Sequence, residues 1–232
     1  MEWTQLAERL FGAGHGLTAQ GDFLEATVTF DGDPITVVGT TNHAPIGMAM
    51  ALAQARVVLD TIAQHPQRPI LLLIDTQGQQ LKRRDELLGI NCAMAHLGCC
   101  IDLARRRGHR VIGLVYDQAL SGGFITSGLI ADACYALPEA EIRVMRIPAM
   151  ARVTKISEER LTELSKANPV FAPGVDNYVA MGGIRELWQG DLRECLRSAL
   201  RSTPIEDQRA HDGRERGGRL LAGPVAQRVL DA

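Results

Sequence analysis

Ser121, Gly122, Gly123 and Phe124 carry the clearest chemical potential in the chain. They follow an apolar run and open a helix. The first amides of a helix have no intrahelical acceptor, and its dipole favours negative charge there. Adjacent glycines let a ligand oxygen approach the main chain. Fixed N–H donors of this kind form an oxyanion hole, which meets charge as it develops in a transition state. Tight helix–strand packing with no ligand is the competing explanation, and the segment alone leaves both open. Ser121 as a covalent nucleophile fits less well. A nucleophile elbow reads G-x-S-x-G, and position 119 is Ala. Helix N-capping is the plainer role for Ser121.

Other side chains are weaker candidates. Cys92, His96 and Cys99 share a helix face, with Cys100 beside them, but there is no CxxC pair and the surroundings are apolar. They read as packing residues, and no metal site is expected. Arg105, Arg106, Arg107, His109 and Arg110 cluster at a helix C-terminus, where cations complement the dipole; a contact with phosphate or an acidic partner is the alternative. His43 is a loop histidine with either a binding or a plain surface role, and Asp75 ends a strand, where it would cap the next turn. The chain has no P-loop, no GxGxxG and no evident pair of catalytic carboxylates. Its chemistry would rest on backbone dipoles and positioning.

Three segments must be brought together for this. They are residues 40–47, 75–80 and 116–123, each following a strand-like run. In open α/β sheets ligands bind beyond the carboxyl ends of the strands. The predicted strands are 25–30 and 35–39, a hairpin about Asp31-Gly32-Asp33-Pro34, then 70–74, 111–115, 134–137 and 142–145. The predicted helices are 47–64, with an apolar series Met48, Ala51, Leu52, Ala55, Val58, Leu59 and Ile62, then 85–106, 122–131, 157–167 and 175–181. The 85–106 segment has two apolar stripes. Leu87, Ile90, Met94, Leu97, Ile101 and Ala104 form one; Leu88, Cys92, Ala95, Cys99 and Leu103 form the other. Burial on both sides is expected, with a subunit interface favoured over a deep core helix. Alternating strands and helices indicate α/β layering around a mainly parallel sheet.

Composition agrees. Lys plus Arg number 25 against 27 Asp plus Glu, and 46% of the 232 residues are apolar. That gives no electrostatic case for nucleic acid, and 4% aromatics leave no stacking platform for bases. No apolar run approaches the ~20 residues of a membrane span, and the first residues lack a secretory h-region. Five irregularly spaced cysteines favour reduced thiols and a cytoplasmic setting. One domain is expected over 1–204. Residues 205–232 read as a flexible charged tail, with a short helix within Leu220–Leu230.

The segments Leu73-Ile74-Asp75-Thr76-Gln77-Gly78, Ser121-Gly122-Gly123-Phe124 and Ala140-Glu141-Ile142-Arg143-Val144-Met145 occur in the order seen in carboxyltransferase domains of the crotonase-like superfamily. With Gly14-His15-Gly16 and the 42–47 loop, residues 10–190 resemble the malonate decarboxylase gamma-subunit family. The resemblance implies a ClpP/crotonase spiral of ββα units with two near-perpendicular sheets. It implies a homologous beta subunit sharing the active site, an acyl carrier protein, an alpha subunit acting as transferase, and a biotin-independent conversion of malonyl thioester to acetyl thioester and CO2. No cofactor would be bound by this chain, because the phosphopantetheine-type arm belongs to the carrier. Gly122, Gly123 and Phe124 would supply the oxyanion hole; Gln77, Gly78, Ser121 and His43 would contact substrate. Gln77 stands where many relatives have proline. Two alternatives remain: the carboxyltransferase half of a biotin-dependent complex, and a non-catalytic scaffold for the beta subunit.

Overall fold

The structure is a computed structural model, and it describes residues 1–166, 174–218 and 220–232. In chain order the elements are α1 (Trp3–Phe11), β1 (Thr18–Gln20), β2 (Phe23–Phe30), β3 (Asp33–Thr40), β4 (Pro45–Ile46), α2 (Met48–Gln64), β5 (Ile70–Thr76), β6 (Gly78–Gln79), α3 (Arg83–Leu87) and α4 (Ile90–Arg106). Then come β7 (Val111–Leu120), α5 (Ser121–Phe124), a π turn (Ile125–Leu129), β8 (Ala133–Ala136), β9 (Glu141–Arg143), α6 (Ile147–Thr154), α7 (Glu158–Ser165), α8 (Asp176–Ala180), α9 (Leu192–Ser202), α10 (Arg209–Glu215) and α11 (Ala222–Leu230).

The hairpin forms as the Asp-Gly-Asp-Pro signal requires, with Phe30 opposite Asp33. The main sheet runs β1-β2-β3-β5-β7-β8, and β9 also pairs with β7. Its β3-β5-β7-β8 part is parallel. Every residue of β5 is buried, as a continuous apolar run covered on both faces should be. A second, two-stranded parallel sheet joins β4 to β6. Two ββα units are thereby visible, β3-β4-α2 and β5-β6-α3-α4.

Leu6 and Leu10 of α1 and Leu192 and Leu196 of α9, with Trp188 just before α9, cover one face of the sheet; these are two helices beyond those the sequence pattern picked out. On the other face, α2 and α4 pack through Ala51, Ala55, Val58, Met94, Leu97 and Ile101. A third cluster, with Ile74, Phe124, Ile142 and Tyr178, lies under α5.

Four expectations are corrected. The helix foreseen over 85–106 breaks at Gly89, whose φ of 80° is left-handed, leaving Leu87 and Leu88 exposed on α3 and its cap. The second stripe of α4, with Cys92, Ala95, Cys99 and Leu103, is exposed in the single chain, as the subunit interface expected of it requires. Leu52 is likewise exposed on α2. The strand foreseen at 142–145 ends at Arg143, and the helix foreseen over 122–131 is α5 followed by the π turn.

The tail is also more ordered than its composition suggests. Arg216 donates to the carbonyls of Val179, Ile184 and Arg185, and Arg209 to that of Ala131. A Cβ on Gly182 or Gly218 would strike the main chain opposite, so the contact is close. Guanidinium–carbonyl bonding anchors this segment without apolar burial, which is why hydropathy missed it. The α11 helix forms but buries none of its residues. For the helix foreseen over 157–167, α7 spans Glu158–Ser165, with Ser157 capping it, and residue 167 lies outside the described residues. No helix among the described residues is long and apolar enough to cross a membrane.

Candidate active site

The three segments meet at the carboxyl ends of β3, β5 and β7. Gln77 N donates to His43 O at 3.3 Å, and Gln80 N to Ile46 O at 2.9 Å, so the 40–47 and 75–80 loops run side by side. The end of β7 closes over them. A Cβ placed on Gly78 would lie 2.9 Å from Leu120 O and 3.0 Å from the Ser121 Cβ. With φ at 101°, Gly78 is glycine for both conformation and space.

Ser121 has a φ of 55°, a left-handed turn unusual for a residue with a Cβ. It converts the extended Leu120 directly into helix. The N-cap position is therefore Leu120, with no side-chain cap bond, so the capping role expected of Ser121 is not the observed one. No histidine hydrogen-bonds Ser121 among the described residues, which leaves it without the base a nucleophile needs.

From that N-cap, the amides lacking an intrahelical acceptor extend through Gly123. Phe124 is the first able to reach back to the N-cap carbonyl. Its ring is buried edge-on to Tyr178, with centroids 6.4 Å apart. The two glycines differ. Gly123 is pressed against Gly78, whereas at Gly122 only the Gln79 Oε1 comes within reach of an added Cβ, at 4.0 Å. Packing explains Gly123, and open access to the main chain explains Gly122. Behind them, Thr126 and Ser127 hydroxyls donate to Gly122 O and Gly123 O at 3.1 and 2.6 Å, supplying bonds where the π turn widens the helix.

Gly78 forms a wall of this site and not a donor, because its N–H donates to Thr76 Oγ1 at 3.0 Å. Gln77 is exposed beside it. Gln79 was not singled out by sequence, yet its side chain faces Gly122 while its Nε2 donates to Glu86 Oε1 at 3.1 Å. The Thr-Gln-Gly-Gln-Gln run does not reveal which of its amides turns toward the helix.

His43 belongs to a neighbouring cluster. Its N–H donates to Asp75 Oδ2 at 2.9 Å, and its Nε2 lies 3.2 Å from Asp117 Oδ1 and 3.6 Å from Asp75 Oδ1. Asp75 and Thr76 are consecutive on β5 and project to opposite faces. Thr76 serves the Gly78 side, and the His43 ring follows Asp75. The structure thus joins His43 to the site through its carbonyl and turns its ring away. Burial pushes the Asp75 carboxyl above its ordinary value, against the His43 and Gln118 amides that hold its charge. At Asp117 burial acts upward too, but the Met1 ammonium and His43 outweigh it and hold that carboxyl low. These three are the only cluster among the described residues with metal-competent geometry. Their acceptors already face main-chain amides and cations. The cysteine group does not converge: Cys92 and Cys99 are exposed, and Cys100 Sγ lies 3.6 Å from His96 Nε2.

Most of the arginine cluster is engaged internally. Arg105 Nε donates to Asp132 Oδ1 at 2.8 Å, Arg106 Nε to Asp102 Oδ2 at 2.6 Å, and Arg110 to the Thr203 carbonyl.

The family described as malonate decarboxylase gamma subunit matches residues 41–232. Malonyl-S-ACP:biotin-protein carboxyltransferase of Malonomonas rubra is 34% identical over 176 residues, covering 68% of this chain and 60% of that protein. The match therefore spans less than two thirds of that relative's length. A Pseudomonas malonate decarboxylase hetero-tetramer in complex with coenzyme A contains a chain that superposes with a TM-score of 0.77 at 26% identity, covering 97% of each chain. The Pseudomonas MdcD-MdcE hetero-dimer gives 0.76 at 26%, covering 97% of this chain and 96% of that one. The fold is crotonase-like and of the carboxyltransferase type, shared with more distant structures as well.

Proposed function

The chain belongs to the malonate decarboxylase gamma-subunit family, and on that premise we propose that it acts with a beta subunit to decarboxylate malonyl-S-acyl carrier protein to acetyl-S-acyl carrier protein and CO2, without biotin. One observation carries the chemistry: the α5 N-terminus is braced against Gly78 with the Gly122 main chain left open. Cleavage of the bond between the carboxylate carbon and the α-carbon releases CO2 and sends the electron pair into the thioester enolate. A proton then adds at carbon to give acetyl thioester. Free amides at Gly122 and Gly123 hold the departing carboxylate in plane or receive the oxygen on which charge develops, and a single such donor is worth about 3 kcal/mol of barrier. Among the described residues no titrating side chain faces that step. The beta subunit holds the thioester, the alpha subunit loads the carrier as transferase, and this chain binds no cofactor.

A second reading has its own support. The Malonomonas relative is a carboxyltransferase that hands the carboxyl to a biotin protein. The deciding experiment is turnover of malonyl-loaded carrier by the purified gamma–beta pair with biotin proteins removed by avidin, read as acyl mass. Acetyl carrier formed only with both chains present supports the decarboxylase. Dependence on added biotin protein transfers the assignment to the carboxyltransferase. Turnover unaffected by Gly122→Pro in an assembled complex makes the chain a scaffold.

A further inference from the structure

The segment between the site and α4 is built in a way the fold does not require. Leu81 is 86% exposed, Leu87 77% and Leu88 56%. Between them Lys82, Arg83 and Arg84 are all exposed. The acidic residues of the same stretch turn to other tasks. Asp85 is buried, and its Oδ2 lies 3.1 Å from where a Gly47 Cβ would stand, at the N-terminus of α2. Glu86 accepts from Gln79. Among the described residues the Arg83 and Arg84 side chains make no ion pair or hydrogen bond, in contrast to those of Arg105, Arg106 and Arg110. An apolar patch studded with unpaired cations is the complement of an acidic, amphipathic protein surface.

Its position matches. The Glu86–Gln79 bond ties α3 to the side chain that faces Gly122, so α3 forms the rim of the candidate site. We propose that Leu81, Lys82, Arg83, Arg84, Leu87 and Leu88 dock the protein body of an acidic acyl carrier, whose arm then passes Gln79 to present its thioester at Gly122. This rests on the functional reading above for the identity of the cargo. It replaces the Arg105–Arg110 cluster as the docking surface. Opposite charges at a rim act chiefly on encounter rate and are screened by salt, so binding should be salt-sensitive.

The test uses the complex of this chain with its beta subunit. Binding of fluorescently labelled malonyl carrier protein is followed by anisotropy from about 0.05 to about 0.3 M salt. In parallel, turnover is measured with malonyl-N-acetylcysteamine, a thioester with neither carrier nor phosphate. The Arg83→Glu, Arg84→Glu pair should weaken carrier binding by about tenfold and flatten its salt dependence. Turnover of the small thioester should be unchanged. The Arg83→Gln, Arg84→Gln pair should give a smaller shift in the same direction, and it keeps the test readable if charge reversal disturbs α3. Unchanged carrier binding overturns the proposal. So does an equal loss with the small thioester, which would make the segment part of the site's own structure. Failure of the variant to co-purify with the beta subunit also overturns it, because the patch is then a subunit contact. If the wild-type complex turns over neither substrate, the functional reading falls, while anisotropy still decides docking.

Discussion

Gly123 rests directly on Gly78: a Cβ at 123 would lie 2.8 Å from both the Cα and the carbonyl carbon of Gly78. This contact fixes the start of α5 against β6, and it separates two substitutions that sequence alone would treat alike. Gly123→Ala should cost about 1–3 kcal/mol through overpacking, seen as a lower Tm. Gly122→Ala should leave Tm unchanged, since its Cβ meets only the Gln79 Oε1 at 4.0 Å. It should still lower kcat/KM on the order of a hundredfold by displacing the reacting carboxylate.

Ser121 pays for the sharp entry into α5 with its left-handed backbone. Ser121→Gly should therefore raise stability by about 1 kcal/mol, measured by denaturant unfolding. Ser121→Ala should retain turnover within a few-fold, because no base activates the hydroxyl. Loss of all turnover in Ser121→Ala, with the complex intact, would contradict the backbone mechanism.

Asp31 sits in the hairpin turn and ties it to α9 through Arg193 Nη2 at 3.1 Å and Arg197 Nε at 2.5 Å. The Arg197 hydrogen bond, joined by Arg193, holds its carboxyl at about 2. The carboxyl is thus depressed in the folded state, so its contribution is complete above the ordinary value of about 4 and is lost as pH falls toward 2. Unfolding titrations should show a loss of stability across that window that is smaller in Asp31→Asn. Equal acid sensitivity in both proteins would count against this linkage.

Arg216 anchors the segment beyond α9 by three main-chain carbonyls. Arg216→Ala should cost roughly 2 kcal/mol of local stability. Trypsin should then cut at Arg209 and Arg214 markedly faster, while the far-UV melt of the remaining domain stays in place. Unaltered cleavage would mean that other contacts hold α10.

Much of this architecture was legible in the sequence because local signals and burial agreed. The Asp-Gly-Asp-Pro turn set the hairpin, and the unbroken apolar run at 70–74 marked a strand covered on both faces. The meeting of three loops followed from strand order. What escaped depended on tertiary detail. Leu87 and Leu88 continue a helical apolar pattern across Gly89, so periodicity hid the break. The direction of the His43 ring depends on a bulge in which β7 runs from Val115 to Ala119 while β5 runs from Ile74 to Thr76. Residue types do not encode such a bulge. The different duties of Gly122 and Gly123 appear only once β6 lies beneath α5.

The narrow second sheet has a bearing on how the protein acquires its site. β4 and β6 pair over just two residues each, Pro45 with Gly78 and Ile46 with Gln79. A ladder this short has no stability of its own. Its register is held by the alignment of β3, β5 and β7, strands joined by the crossovers that carry α2 and α4. The α5 entrance, in turn, has nothing to rest on until β6 is seated. The main-chain site at Gly122 is therefore no local motif: a two-residue ladder and a two-glycine contact stand on the whole β3-β5-β7 frame, and a change that loosens the frame reaches the site through them.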